Sequence, residues 1–293
     1  MIATTGPCIP HDLLEATGRH VGALPWRLDR ATPRADQWLE SKFPAWARSI
    51  VEDWADGRFD DLEAVVFSRG DDAAQRLYYY ICELQRRGLV RGARLTVVDV
   101  AKIPRSTSEA HTIASVRRLA AEFGLDDDAL EAGIAATNAR RAAVPAVQPG
   151  NPACLIVGTP PPHRSLHEAI EDAGFAAIGE TLAEAWADLG PEVERDSGDP
   201  AAAIGRQVHR RPNDRRGFGD LVQQTLDLAR RSNAAAVVLW YTEEDEARIW
   251  ELPRIRGALA SAGVPLLLMT RRDEAARDGA PDEIRTFLKG LPS

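Results

Sequence analysis

The feature that most constrains the fold is a repeated alternation of short apolar runs with longer amphipathic segments. Residues 62–67 read LEAVVF and residues 235–240 read AAVVLW. Such near-continuous apolar runs are typical of strands buried on both faces of a parallel sheet. The segments between them, such as residues 71–87, have the spacing of amphipathic helices. Strands separated by helices pair in parallel through right-handed crossovers, so the pattern predicts an α/β fold.

The alternation occurs twice, once on each side of residues 142–151. That segment reads AAVPAVQPGN and has no periodicity, which is typical of a linker. We therefore predict two doubly wound, flavodoxin- or Rossmann-like parallel-sheet domains, residues 1–141 and 152–293, that face each other across a cleft. The predicted strands are residues 2–4, 21–24, 62–67 and 95–98 in the first half, and 154–157, 176–178, 235–240 and 265–269 in the second.

Composition excludes several functional classes. The 293 residues carry a formal net charge of −8, which argues against non-specific nucleic-acid binding. There is no apolar run of about 18 residues and no signal peptide, so we expect no membrane partner. The 3 cysteines form no CxxC pair and suggest no disulfide framework. The sequence therefore predicts a cytoplasmic protein with reduced thiols.

The ends of the first and third strands of each half indicate where a functional site would lie. In a doubly wound sheet the strand order reverses beside the first strand, and ligands bind outside the carboxyl ends of the strands at that point. In the first half, Cys8 follows the first strand between Pro7 and Ile9, and Asp71 follows the third. The thiol is a candidate metal ligand or nucleophile. The carboxylate is either a ligand or the N-cap of the following helix.

The corresponding loops of the second half contain Gly158 and Thr159 after the first strand and Asp245 after the third. The turn that begins at Gly158 leads into a helix whose start could bind an anion, although its prolines remove amide donors. A basic segment, residues 209–216, includes Arg215 and is either a surface loop or a phosphate site. His163 and His167 have an HxxxH spacing but lack the glutamate and third ligand of a zinc motif.

These loops and the helices after them resemble the 2-hydroxyacyl-CoA dehydratase/benzoyl-CoA reductase family, in particular 2-hydroxyglutaryl-CoA dehydratase D-component-like subunits. Residues 5–18 (TGPCIPHDLLEATG) are similar to the family's N-terminal cysteine loop, and residues 76–78 match its Arg-Leu-Tyr helix. Residues 130–141 resemble its LxxAIxxxNxxR helix, with Gly133 in place of the alanine. Residues 155–180 and 251–265 resemble later segments, so the resemblance covers nearly the whole chain.

The resemblance implies a subunit that pairs with a similar one, each holding a [4Fe–4S] cluster on three cysteines. A separate ATP-hydrolysing activator supplies the cluster with an electron, which then passes to an acyl-CoA thioester. This chain departs from the pattern, because only Cys8 matches a ligand position. Asp71 (or Gly70, if the gap shifts) stands at the second position and Asp245 at the third. One thiolate with two carboxylates is a poor set for a cluster.

We therefore expect a chain that has kept the fold and lost its own cluster. Its expected partners are a cysteine-bearing paralogue that holds the [4Fe–4S] cluster, an ATP-dependent activator, and an acyl-CoA or similar anionic ligand. The expected ligand-facing residues are Pro7, Ile9, Gly158, Thr159 and Arg215.

Three alternatives remain open. The chain could hold a cluster itself, or it could be an inactive protein that binds acyl-CoA or another anion. It could instead be a mononuclear metal or thiol enzyme that uses Cys8, Asp71 and Asp245. For a thiol enzyme, His11 is the base nearest to Cys8 in the sequence.

Overall fold

The computed structural model describes residues 1–101, 103, 105–143, 152–211, 220–245 and 248–291. The chain forms two compact units, each with a four-stranded, all-parallel sheet flanked by helices. Unit 1 comprises Met1–Pro145 and Trp186–Phe218, and unit 2 comprises Ala146–Ala185 and Gly219–Ser293. The predicted α/β class with two parallel-sheet domains is therefore confirmed.

The elements alternate along the chain as the apolar pattern predicts. In the first half they are β1 (Ile2–Thr5), α1 (His11–Ala16), β2 (His20–Ala23), α2 (Pro33–Trp38), α3 (Ala45–Ala55), β3 (Ala64–Ser68), α4 (Asp72–Arg86), β4 (Arg94–Val98), α5 (Ser108–Phe123) and α6 (Asp127–Ala142). In the second half they are β5 (Ala153–Gly158), α7 (Ser165–Asp172), β6 (Ala176–Ile178), α8 (Leu182–Ala187), α9 (Pro200–Arg210), α10 (Leu221–Arg231), β7 (Ala234–Thr242), a 3₁₀ turn (Ile249–Glu251), α11 (Leu252–Ser261), β8 (Leu266–Arg272) and α12 (Ala280–Lys289).

Both sheets have the same strand order, β2-β1-β3-β4 in unit 1 and β6-β5-β7-β8 in unit 2. The order reverses beside the first strand of each sheet, so the loops after β1 and β3, and those after β5 and β7, leave the same edge of their sheet. The predicted position of the reversal is thus confirmed. The central strands are buried along their length; all five residues of β3 are inaccessible to solvent.

The helical spacing of the aromatic residues in 35–56 predicts one continuous helix, and this prediction is wrong. Residues 35–56 form two helices, because Leu39 is extended at the end of α2 and Pro44 starts α3 with an extended backbone. Proline disfavours the helical conformation of the residue before it, so one continuous helix across Phe43 and Pro44 is not favoured. The tryptophans of α3 are core residues rather than an exposed surface: Trp46 and Trp54 are both buried.

The segment that follows α8 packs with unit 1 rather than with the sheet it follows in sequence. Residues 186–211, here called the strap, run from the end of α8 through α9 and belong to unit 1. The sequence had placed the whole of 152–293 in one domain. Buried side chains of the strap share one apolar core with β1, α1, β3, α5 and α6; among them are Val193, Ile204 and Val208. Residues 144–151 of the predicted linker lie outside the described residues.

Candidate functional site at the strand ends

The loop after β1 has a backbone that few residues can adopt. Gly6 has φ +95°, and a Cβ there would lie 2.9 Å from the Cβ of Ala74 on α4. Cys8 itself has φ +58°, in the left-handed region that non-glycine residues rarely occupy. Such conformations persist only where the surroundings hold them, and they concentrate at functional sites.

The Cys8 side chain faces the interior of unit 1. It is only 2% exposed and belongs to the same apolar core as Ile9 and Leu13. The sequence correctly places Cys8 at the strand-end loop beside β3, but the thiol is not presented to solvent.

Of the two roles that the sequence left open for Asp71, ligand or helix N-cap, the structure shows the N-cap. Asp71 is the N-cap of α4, and its carboxylate accepts a 2.8 Å hydrogen bond from the backbone N–H of Ala74. This bond satisfies one of the amides that a helix start leaves unpaired. Asp72, in the first turn, adds a second carboxylate at the positive end of the helix dipole.

The strand ends of unit 2 bring Thr159 and Asp245 together. The Thr159 hydroxyl donates a 2.7 Å hydrogen bond to Oδ2 of Asp245, and the Thr159 amide donates to the carbonyl of Trp240. Gly158 must be glycine, because its φ is +116° and a Cβ would lie 2.0 Å from the Trp240 carbonyl oxygen. The Asp245 carboxylate therefore joins the loops after β5 and β7.

The remaining candidates are placed as follows. Nε2 of His163 lies 3.1 Å from the carbonyl oxygen of Ala275, and Nε2 of His167 lies 3.0 Å from the carbonyl oxygen of Gly179. Each imidazole thus bonds to a backbone carbonyl, as a structural histidine does. Arg215 lies outside the described residues.

The other two cysteines lie away from the strand ends. Cys82 is half-buried on α4, and burial raises the pKa of its thiol. Cys154 lies inside β5, where burial raises its pKa to about 12 and keeps the thiol protonated. Neither thiol can therefore take the place of the cluster-binding cysteines that the resemblance implies at positions 71 and 245.

The sequence did not predict a buried polar network that holds the strap against unit 1. The end of α8 and the irregular stretch between α8 and α9 leave backbone carbonyls that need partners from side chains. Carbonyls from Trp186 to Val193 accept hydrogen bonds from buried or half-buried side chains, namely His11, Asn138, Arg141, Gln207 and Arg211. The only sequence signal for this role is the Asn-x-x-Arg spacing at the end of α6.

Arg141 is the centre of this network. Its guanidinium donates two hydrogen bonds of 2.7 Å to the two carboxylate oxygens of Asp12, and also donates to the carbonyl of Leu189. Asn138 donates to the carbonyl of Val193 and accepts from its amide. The two polar residues of the predicted α6 motif therefore both bind the strap or α1.

Arg211, at the end of the strap, reaches the Cys8 loop. Its Nη1 donates to the carbonyl of Ile9 at 3.2 Å, and its Nη2 donates to the carboxylate and the carbonyl of Asp188. Burial works to raise the pKa of Asp188, but the Arg211 charge and the hydrogen bonds around it hold that pKa below its ordinary value. The basic segment 209–216, which the sequence left as either a surface loop or a phosphate site, thus contains a buried arginine at position 211. Its residues 212–216 lie outside the described residues.

His11 is a poor candidate for a general base. Burial and the nearby charge of Arg211 lower its pKa to about 3, and its Nε2–H donates to the carbonyl of Trp186 at 3.2 Å. Catalysis at neutral pH favours a base whose pKa is near 7. The alternative in which His11 activates Cys8 is therefore disfavoured.

The donor set does not fit a [4Fe–4S] cluster. Cys8 is the one thiol at a strand end, whereas Asp71 and Asp245 are engaged within their own units. Within the described part of the chain, no group of three or more histidine, cysteine, aspartate or glutamate side chains is arranged to hold a metal ion.

No protein-family model matches the chain, and none of the curated proteins is significantly similar to it in sequence. The resemblance to the dehydratase family stays a prediction carried by the residues quoted above. Among the described helices, none is long and apolar enough to cross a membrane.

Proposed function

We propose that this chain is a subunit of a 2-hydroxyacyl-CoA dehydratase- or benzoyl-CoA reductase-like complex and has no complete iron–sulfur cluster of its own. The proposal rests on the residues that stand at the three positions where the resemblance implies cluster-binding thiolates. One is a buried cysteine, Cys8, and the other two are aspartates with structural partners.

The two aspartates supply a reason why the fold tolerates the loss of the cysteines. Asp71 stabilises the start of α4, and Asp245 ties the loop after β7 to Thr159. In each loop a carboxylate that bonds to the protein stands where a metal-binding thiolate is expected. Both loops can therefore keep their conformation without a cluster.

In such a complex, the paralogue would hold the [4Fe–4S] cluster and receive the electron from the ATP-dependent activator. This chain would contribute its strand-end loops to binding an acyl-CoA or a similar anionic ligand. Gly158 and Thr159 are suited to this role, because their backbone lies at the reversal of strand order in unit 2.

The proposal is tested by co-expressing the tagged chain with a three-cysteine paralogue from the same genome, under anaerobic conditions. We expect a stable complex whose iron and acid-labile sulfide are lost when the paralogue's cysteines are replaced, and kept when Cys8→Ala is introduced here. We also expect the isolated chain to remain colourless after treatment with ferrous iron and sulfide.

Two results would overturn the proposal. One is a cluster, with matching iron and sulfide, on the isolated chain that disappears in Cys8→Ala. The other is failure to form a complex with any three-cysteine paralogue of the genome, or the absence of such a paralogue. If the isolated chain also binds an acyl-CoA thioester in calorimetry, the inactive binding protein becomes the better interpretation.

A further inference from the structure

We propose that the strap shields Cys8 from solvent, and that Arg211 is the positioning residue that couples the strap to the Cys8 loop. Metal binding, alkylation or oxidation at this thiol then requires local release of the strap. The inference does not depend on the proposed complex, since it concerns contacts within unit 1 alone.

The first observation is the position of one guanidinium. Arg211 bonds to the carbonyl of Ile9, the residue directly after Cys8, and to Asp188 near the other end of the strap. One buried side chain thus ties both ends of the strap to the loop that carries the thiol. The contact to Ile9 spans 202 residues of sequence.

The second observation is the apolar core that contains both the thiol and the strap. Cys8 shares its core with Val193, Ile204 and Val208, all of which are buried residues of the strap. Removal of the strap would expose part of the core to which Cys8 belongs. This is the basis for assigning the low exposure of Cys8 in part to the strap. Next to Cys8 in sequence, Ile9 is also buried.

The third observation is the polar anchoring of the strap's irregular stretch. His11 bonds to Trp186, Arg141 bonds to Leu189, and Gln207 bonds to Leu189 and Pro191. Trp186 also packs edge-on against Trp26 and Trp46, with ring centroids 4.8 and 4.9 Å away. These contacts remain when Arg211 alone is changed, so loss of the Arg211 contacts should loosen the strap locally without unfolding unit 1.

A buried arginine that loses its partners is left as an unpaired charge, which is strongly unfavourable. Changes at Arg211 should therefore affect the docking of the strap more than changes at its exposed residues. Reagents reach a buried thiol only through local opening, and the reaction rate follows the population of the open state. The lysine in Arg211→Lys keeps the charge but cannot bond to Ile9 and Asp188 with the arginine's fork geometry. The variant should therefore open the Cys8 loop more often.

The experiment labels the native, full-length protein with N-ethylmaleimide and measures modification of each cysteine by mass spectrometry. In the wild type we expect Cys8 to react much more slowly than the half-buried Cys82. In Arg211→Lys the rate at Cys8 should rise about tenfold, as expected for the loss of a charged hydrogen bond. The matched control is Arg210→Lys, because Arg210 precedes Arg211 and is exposed in a long ion pair with Glu109.

Hydrogen exchange separates local release from unfolding. We expect faster exchange of the α9 amides in Arg211→Lys, with unchanged protection of β3. If Arg211→Lys does not fold, Asp188→Asn provides the second variant, because it removes the carboxylate partner at nearly constant volume. Asp188→Asn should also accelerate the labelling of Cys8.

Several results would overturn the proposal. Rapid labelling of Cys8 in the wild type would show that the strap does not shield it. Equal rates in wild type and Arg211→Lys, or in wild type and Asp188→Asn if that variant replaces it, would remove the coupling. Acceleration at Cys8 together with the same loss of protection in β3 would show general unfolding instead.

Discussion

Asp12 on α1 and Arg141 at the end of α6, 129 residues apart, form a buried ion pair with two parallel hydrogen bonds of 2.7 Å. Their side chains are only 1% and 6% exposed, respectively. The same guanidinium also binds the carbonyl of Leu189 in the strap. This one pair therefore joins α1, α6 and the strap, and its Asp12 lies four residues after Cys8 in the sequence.

Arg141→Met should strongly destabilise the protein, because it leaves the Asp12 carboxylate buried and unpaired. Breaking one partner of a buried pair costs about 3–5 kcal/mol. The control is Arg140→Met, which removes an exposed arginine paired with Glu15 and should cost no more than about 1 kcal/mol. Urea denaturation measures both. Equal losses of unfolding free energy in the two variants would contradict the structural role of Arg141.

Gly133→Ala should destabilise the protein even though alanine favours helices. A Cβ at position 133 would lie 2.3 Å from the carbonyl oxygen of Asp12 and 2.8 Å from the Cβ of Ala16. The helices α1 and α6 would have to move apart, at a cost of about 1–3 kcal/mol. Gly257→Ala is the matched control, since nothing lies within 4 Å of a Cβ at that position in α11.

In the Gly257→Ala variant the unfolding free energy should instead rise by about 0.5–1 kcal/mol, because alanine has the higher helix propensity. Thermal and urea unfolding of the two variants would reveal the opposite signs. A stabilised Gly133→Ala protein would show that α1 and α6 are not in close contact.

His11 should make the protein lose stability in mild acid. Its pKa is about 3 in the folded state, against 6.5 as the ordinary value. Between these values the unfolded chain binds more protons than the folded protein, so the unfolding free energy falls as the pH is lowered through that window. The contribution is fully present above pH 6.5 and should have decreased by about 2 kcal/mol at about pH 5.

His11→Gln preserves a donor for the Trp186 carbonyl and removes the titrating group. We therefore expect a shallower dependence of unfolding free energy on pH than in the wild type. Identical slopes for wild type and His11→Gln would show that His11 is not buried in its neutral form. Burial also lowers the pKa values of His20 and His167, so these two imidazoles account for part of the slope that remains in His11→Gln.

Asp71→Ala should lower stability by about 1 kcal/mol through loss of the α4 N-cap. Asp71→Ser should recover most of that loss, because a serine hydroxyl can accept the same bond from the amide of Ala74. Neither change should alter the iron content of the isolated chain. Loss of bound iron in both variants would instead identify Asp71 as a metal ligand.

Much of the architecture could be predicted because its signals are local. Apolar runs such as LEAVVF are typical of strands with both faces covered, and the helices between them favour parallel pairing. The same reasoning placed Cys8 after the first strand and offered Asp71 as a helix cap. The break between α2 and α3 was missed, although Pro44 signals it, because the aromatic spacing continues across the break.

The sequence by itself determined the class of fold, the order of strands at the reversal and the scarcity of thiols at the strand ends. Tertiary structure alone decided that residues 186–211 pack with unit 1 and that Arg211 is buried. It also decided that α6 approaches the backbone of α1 so closely at Gly133 that a Cβ there would clash. The physical reason is the range of the interactions. Periodicity reports which side of an element is apolar, whereas a buried arginine is defined by partners such as Ile9, 202 residues away. No local pattern distinguishes such an arginine from a solvated one.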